Sequence, residues 1–354
     1  METFRTAEAA LGRGERVAIA TVIRATGSTP RGPGARMAVL AGGAIHESVG
    51  GGACEHAAAG AALRSLETDL PEMVRADMSG AGDSGMVCGG AMAVLVEPLD
   101  PARDAGWVRA VVRLRSEGKT VTLLRRLAED PPVESRVLLV ASGDGERAWA
   151  AGEADAPVPP THLSPAEPAF FGESDPRGPY AAEAIPPAER LVIVGGGHIG
   201  RALSAIGSLL GFEVTVIDER PEFAAEDRFP GAIAVACGDP GDILSARAPG
   251  PGAYFVLVGH GYASDLRALR ILARTETAYI GMIGSRKRVE TVLSALEAEG
   301  IEPGAGGRLF APIGLDIGAK TPEEIAVCIA AEIVAVRSGA DPSAGHRARR
   351  PEEK

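Results

Sequence analysis

Aromatic residues are scarce in this chain: 8 Phe, 4 Tyr and 2 Trp among 354 residues, so a bound ring system would find few side chains to stack on. Cysteine is scarcer still. Cys54, Cys88, Cys237 and Cys328 form no close pair, which excludes a disulfide framework and fits a reducing cytoplasm. With no CxxC and no clustered histidine beside them, zinc is a poor match for these thiols. Positive charge is also short. Lys and Arg number 36 against 47 Asp and Glu, a net charge of −11 with a pI near 5.2. That balance argues against a nucleic-acid binder, which needs a basic face for the phosphates. Lysine supplies only four of those cations, and we give the excess of arginine no functional weight. The longest uncharged run, Ala248 to Ser264, is broken by Pro249, Pro251 and four glycines and cannot be a membrane helix. The first residues carry an early acid and no apolar stretch, so no secretory signal is expected. No Gly-X-Y period and no internal repeat runs through the chain.

Glycine is in surplus: 46 of the 354 residues, well above the usual ~7%. Without a repeat, such a surplus points to tight loops, where ligands are commonly held. A composition 45% hydrophobic and 23% charged is that of a soluble globular protein, and the length suggests two domains. Between Pro157 and Pro187 nine prolines fall in 31 residues, which no continuous core element tolerates. The expected organisation is therefore an N-terminal domain over 1–150 and a proline-rich connection over 151–188. That connection has one candidate edge strand at Pro179–Ile185. A second domain over 189–340 and a frayed tail over 341–354 complete it.

The fold class expected is α/β: a mixed α/β domain followed by a Rossmann-like domain with a parallel sheet. In the first half, strands are expected at Val17–Ile23, Met37–Leu40, Ala91–Glu97, Thr120–Leu124 and Arg136–Ala141. Helices are expected at Ala53–Leu66 and Ala105–Glu117. The second half alternates strand and helix, with strands at Arg190–Val194, Glu213–Ile217, Ala232–Ala236, Ala253–Val258 and Tyr279–Met282. Thr321, Pro322 and Glu324 predict a capping box at the start of a final helix.

The sharpest local signal is a strand, Arg190–Val194, running into Gly195-Gly-Gly197-His198-Ile-Gly200 and a helix. Gly195 suits a tight turn, Gly197 a close approach to pyrophosphate, and Gly200 close helix–strand packing. The helix N-terminus supplies free N–H groups to an anion. The next strand ends in Asp218, where an acid can meet ribose hydroxyls. Two more strand ends should reach the same crevice. Gly259-His260-Gly261 follows one, and His260 reads equally as a site residue or a structural histidine. Gly284-Ser285-Arg286-Lys287-Arg288 follows the other, where a helix start and three cations suit a phosphate. His198 is expected to orient its loop rather than to perform chemistry.

In the first half, Gly50-Gly51-Gly52-Ala-Cys54-Glu55 opens a helix whose amides could receive an anion, a position that would also favour thiolate at Cys54. Cys88 lies in a second glycine turn, Cys88-Gly-Gly90, with room for a bulky ligand at the sulfur. Cys237 and Cys328 read as small buried hydrophobes.

Taken in order, these segments resemble the XdhC/CoxI family of molybdenum-cofactor maturation proteins. The resemblance rests on Gly27-Ser-Thr-Pro-Arg31, Pro33-Gly-Ala-Arg-Met37, Gly50–Glu55 and Cys88–Gly90 in the first half. In the second half it rests on Gly195–Gly200, Tyr279–Arg286, Pro312–Gly318 and Thr321–Ala326. It implies a protein that binds a molybdopterin-type molybdenum cofactor, assists its sulfuration and delivers it. The recipient would be the apoenzyme of a xanthine dehydrogenase or carbon monoxide dehydrogenase type of molybdenum hydroxylase. A cysteine desulfurase is a further implied partner, and a homodimer is left open. Under this reading Cys88, Cys54 and Glu55 are candidate catalytic residues, with Cys88 also a candidate contact on the molybdenum side; no metal ligand is assigned. The cofactor-binding set is Gly50, Gly51, Gly52, Gly195, Gly197, His198, Gly200, Asp218, His260, Ser285 and Arg286. Family members with a cysteine after the glycines carry it at the place of Ala53, so Cys54 stands one position late. The Rossmann half alone also admits NAD(P) or another nucleotide, hence an NAD(P)-dependent oxidoreductase or a nucleotide-binding regulatory module.

Overall fold

The computed structural model describes residues 2–79, 87–126, 135–140, 147–151, 169–171, 180–246, 252–259, 261–302 and 307–341. They divide into two compact units, 1–188 and 189–354. The expected tail lies outside the described residues from position 342 onward.

The first unit begins with a helix the composition did not announce, α1 (Glu2–Gly12). It continues through β1 (Val17–Thr26), β2 (Arg36–Leu40), β3 (Ile45–Glu47), α2 (Gly52–Thr68), β4 (Glu72–Ser79) and β5 (Val87–Leu99). The remaining elements are α3 (Pro101–Ser116), β6 (Val121–Arg126), β7 (Ser135–Val140), β8 (Arg147–Ala151), β9 (Ala169–Phe171) and β10 (Tyr180–Ile185). They build two antiparallel sheets, ordered β3-β2-β1-β5-β4 and β8-β7-β6-β10-β9. The expected connection thus supplies β10, where a strand was expected, and β9, where none was, to this unit. The strand expected at an edge pairs on both sides, because Pro179 and Pro186 flank it and leave its ladder N–H groups intact.

β1 reads as an unbroken apolar run because both of its faces are covered. Successive side chains point to opposite faces. Val17 and Ile19 pack with Phe4 and Leu11 of α1 and with Trp107, Val108 and Val111 of α3. Ala18, Ala20 and Val22 face Ala58, Ala61 and Ala62 of α2. Three charged side chains from separate strands, Glu97, Arg125 and Glu183, are also buried in this unit, with Arg36 half-buried beside them. Arg125 on β6 is 2% exposed and donates to Glu97 of β5 at 2.7 Å and to Glu183 of β10 at 3.1 Å. Glu183 also pairs with Arg36 of β2, whose guanidinium lies over the Phe4 ring at 4.9 Å. Two carboxylates and two guanidinium groups thus join strands from both sheets with no net charge.

The second unit alternates β11 (Arg190–Val194), α4 (His198–Leu209), β12 (Glu213–Asp218), β13 (Ala234–Cys237), α5 (Pro240–Ala246), β14 (Ala253–Leu257), α6 (Tyr262–Leu272), β15 (Tyr279–Met282), α7 (Arg286–Ala298), β16 (Leu309–Phe310) and α8 (Pro322–Arg337). The sheet is parallel, ordered β13-β12-β11-β14-β15-β16. That is the doubly wound order, with its switch point between β11 and β14. Leu191 and Ile193 pack towards Leu203 of α4 and Ile329 and Ile333 of α8, while Val192 and Val194 pack with Leu244, Leu266 and Leu269. The capping box at α8 forms as expected. Thr321 Oγ1 accepts from the Glu324 N–H at 3.2 Å, and the Glu324 carboxylate accepts from the Thr321 N–H at 3.0 Å.

Candidate functional site

In the first unit, two glycine loops and the glycine-rich start of β5, far apart in sequence, meet. A β-carbon on Gly90 would sit 2.5 Å from the carbonyl oxygens of both Thr26 and Ser28, and one on Gly27 would sit 2.7 Å from the Gly89 oxygen. Backbone therefore lies directly on backbone, which only glycine permits. Gly50 brings in the second loop, since its β-carbon would meet the Pro30 side chain at 3.0 Å. Gly50, Gly51 and Gly52 all have positive φ, so the chain enters α2 through a turn that other residues would strain.

The loop is held from within. Gly50 N–H donates to Ser48 Oγ at 3.0 Å, Ser48 Oγ donates to Glu55 Oε2, and Gly51 N–H donates to Glu55 Oε2 at 3.3 Å. Glu55 thus braces the glycine turn, placing a carboxylate where the helix dipole favours one. Cys54 is 3% exposed in the cluster with Ala20, Val22 and Met37. Burial, and next the Glu55 charge, push its thiol up, contrary to the lowered value expected from the helix start. One residue of a helix is a turn of about 100°. Gly52 and Ala53 are exposed at the loop while Cys54 faces the sheet. Cys88 falls in β5, two residues before Gly90, and not in the glycine turn expected for it, because the β5 ladder already begins at Val87; its side chain lies outside the described residues. Arg31, quoted only as part of a motif, is exposed with its Cγ 3.5 Å from the position of a Gly50 β-carbon. It has no ion pair among the described residues.

In the second unit a cleft of about 210 Å³ opens at the carboxyl ends of β11, β12 and β14, lined by Gly195, Asp218, Arg220, Gly259 and Ser264 among others. Gly195 has φ +121° and passes so close to Val258 and Gly259 that a β-carbon would lie 2.6 Å from the Gly259 nitrogen. A β-carbon on Gly200 would collide with the Gly195 oxygen, which confirms its packing role. Gly197 is the N-cap of α4, and His198, the first residue of that helix, is exposed with no hydrogen bond to the loop. His260 lies outside the described residues.

Asp218 is buried and already committed. Its carboxylate accepts from the Gly196 N–H at 2.8 Å and from three donors of Arg220: the backbone N–H at 3.0 Å, Nε at 2.9 Å and Nη2 at 2.9 Å. Burial opposes ionisation, but the Arg220 and Gly196 hydrogen bonds hold the carboxyl below its usual range. Of the basic run at α7, Ser285 caps the helix by accepting from the Arg288 N–H at 3.3 Å. Arg288 turns inward to the buried Asp265, leaving Arg286 and Lys287 exposed. Asp265 itself is pushed up by burial against the pull of Arg288.

The later motifs of this unit do structural work. Tyr279 of β15 donates to Glu332 of α8 at 2.5 Å, and the same Glu332 oxygen accepts from the Gly314 N–H at 3.1 Å. Gly281 leaves room for Ile313 and the Tyr279 hydroxyl, both of which a β-carbon would strike. The paired segments Tyr279–Arg286 and Pro312–Gly318 are thereby tied to the helix that Thr321 caps.

Among the described residues no group of His, Cys, Asp and Glu could hold a metal ion, and no helix is long and apolar enough to cross a membrane.

Residues 191–333 match the family model of the XdhC Rossmann domain, and residues 10–77 match that of the XdhC and CoxI family. A Bacillus subtilis protein whose name makes it a probable component of xanthine dehydrogenase is 28% identical over 333 residues, covering 91% of this chain and 94% of that one. An uncharacterized Escherichia coli protein, YqeB, is 35% identical over 155 residues; the match takes in 43% of this chain and only 28% of that longer protein. Among solved structures, one described as a xanthine dehydrogenase from Bacillus halodurans is 26% identical with a TM-score of 0.79, covering 99% of this chain and 98% of that one. The Bacillus subtilis protein and the Bacillus halodurans structure match across both halves, and the chain belongs to the XdhC and CoxI family.

Proposed function

We propose that this chain is an accessory protein in the maturation of a xanthine dehydrogenase-type molybdenum hydroxylase. In this reading it binds a molybdopterin-type cofactor as cargo, assists its sulfuration with a cysteine desulfurase and delivers it to the apoenzyme. The observation that carries the reading is the meeting of the Gly27–Arg31 and Gly50–Gly52 loops with the Cys88–Gly90 end of β5 in the first unit. A phosphorylated, ring-bearing cargo needs exposed amides, a cation and space unfilled by side chains. The α2 start, Arg31 and the apposed glycines offer these, and Cys88 supplies a thiol in the adjoining strand. The scarcity of aromatics is consistent with a pterin held mainly through backbone groups.

The test is to purify the chain from cells making the cofactor and to measure molybdenum by mass spectrometry and pterin by fluorescence of its oxidised form. Stoichiometric pterin, and activation of a molybdenum hydroxylase apoenzyme by the loaded protein, are expected. Cys88→Ala and Glu55→Ala should stay folded and lose retention, the latter because the glycine turn loses its brace. Background pterin in the wild type, or full retention in both variants, would overturn the proposal.

A further inference from the structure

The ribose end of the crevice in the second unit separates two classes of nucleotide. In a doubly wound sheet of this order, an acid ending the second strand accepts from ribose hydroxyls, whereas a nearby arginine accommodates a 2′-phosphate. This chain has both, two residues apart, as Asp218 and Arg220. An ionised carboxylate offers about four acceptor positions. Asp218 has filled them with the Gly196 N–H and three donors of Arg220, at 2.8–3.0 Å, and is 4% exposed. A ribose hydroxyl would have to break a bidentate guanidinium pair or detach the glycine loop.

Arg220 is in the opposite position. Its side chain is 35% exposed and lines the cleft, and its guanidinium lies 3.8 Å from the centroid of the Phe223 ring, which fixes its plane. A guanidinium has five N–H donors. Asp218 takes the Nε–H and one on Nη2, so three remain without a protein partner among the described residues. The pair therefore holds a cation on the crevice wall with donors to spare, and an anion can use them without disturbing Asp218. After the Asp218 hydrogen bond, the charges of Glu222 and Glu219 also hold the Arg220 guanidinium protonated; Glu219 reaches Arg267 at 3.8 Å, and Glu222 is exposed in the 3₁₀ turn that follows.

We propose that this crevice binds a dinucleotide carrying a phosphate on its ribose, of the NADP type, and that Arg220 is the residue selecting phosphate over hydroxyl. The site lies wholly within the second unit and does not depend on cofactor delivery by the loops of the first.

The full-length protein is titrated by calorimetry with NADP⁺, NAD⁺, 2′,5′-ADP, 5′-ADP and inorganic phosphate. NADP⁺ and 2′,5′-ADP should bind at least about tenfold more tightly than their unphosphorylated counterparts, the worth of hydrogen bonds to a charged group. Arg220→Gln should abolish that difference and leave NAD⁺ bound at least as tightly, since it frees acceptor positions on Asp218, and Arg220→Lys should restore part of the preference. Because Arg220→Gln strips the buried Asp218 of its guanidinium, the Asp218→Asn/Arg220→Gln double variant provides a folded, uncharged control with the same expected loss. Equal affinity for NAD⁺ and NADP⁺ refutes the proposal, as does a preference that survives both glutamine variants. Inorganic phosphate competing as well as 2′,5′-ADP, or no binding of any nucleotide at millimolar concentration, refutes it too.

Discussion

Arg125→Met removes the guanidinium that bridges Glu97 and Glu183 while keeping much of its aliphatic volume. The bridge is buried, so no water replaces the lost donors. Removing one partner of a buried ion pair costs about 3–5 kcal/mol. Arg36 still holds Glu183, which places the expected loss near the lower end, about 3 kcal/mol. At roughly 2–4 °C per kcal/mol for a domain of about 150–250 residues, the melting temperature should fall by about 6–12 °C. Both tryptophans, Trp107 and Trp149, belong to the first unit, so tryptophan fluorescence during urea or thermal unfolding reports on that unit. The pH dependence separates charge from packing. Burial pushes the Glu183 carboxyl up, but Arg36 and Arg125 together hold it below its usual range. A carboxylate with a lowered folded pKa stabilises above its unfolded pKa, and that stability is lost as pH falls through the folded one. Without Arg125 the folded pKa rises, so the variant's deficit should be largest near pH 7.5 and shrink as the pH falls through the carboxylate range. A loss below about 1 kcal/mol, or a deficit unchanged between pH 7.5 and 4.5, would refute the account of a charge-coupled core.

Two further outcomes test smaller features. Thr321→Ala breaks the reciprocal cap of α8 and should lower stability by about 1 kcal/mol, read from the far-UV circular dichroism transition; Thr321→Ser should retain most of it. With Cys237→Ser as background, native Cys54 should react slowly with a disulfide reagent, whereas Ala53→Cys should add one thiol that reacts at least about tenfold faster at pH 7.5, since reactivity follows exposure and thiolate content. Equal rates would mean that position 53 does not face the loop.

The parallel sheet was legible because strands buried on both faces read as continuous apolar runs between glycines, as Arg190–Val194 does. The α8 cap was legible because each of its three residues has a local role. Other features were hidden for physical reasons. α1 buries Phe4, Ala7, Ala10 and Leu11, and two alanines in that stripe make it faint. β4, Glu-Met-Val-Arg-Ala-Asp-Met-Ser, borders its sheet with residues 72–77 partly or fully exposed, so no buried apolar face marks it as a strand. The buried charge cluster joins positions 36, 97, 125 and 183, which only the fold brings together. At the candidate site the loops were legible but the state of their side chains was not. The helix start at Cys54 suggested a thiolate, and the one-residue rotation that buries it depends on the sheet beneath. Asp218 was recognised by its strand end, whereas its occupation by Arg220 depends on rotamers.

The place of β10 has a consequence for how the protein is made. A nascent chain emerges from its N-terminus, and domains generally fold as units in that order. Arg36, Glu97 and Arg125 are all synthesised before Glu183, the second carboxylate of their cluster. Until it arrives, closing the two sheets would bury Arg125 without its second carboxylate and leave Arg36 without the one it pairs with. β6 would also lack its partner on one side. The ion pairs of Arg36 and Arg125 with Glu183 are thus completed late in synthesis: a fragment ending near residue 150 holds the helices and most of the strands of this unit, yet neither β10 nor the carboxylate it carries.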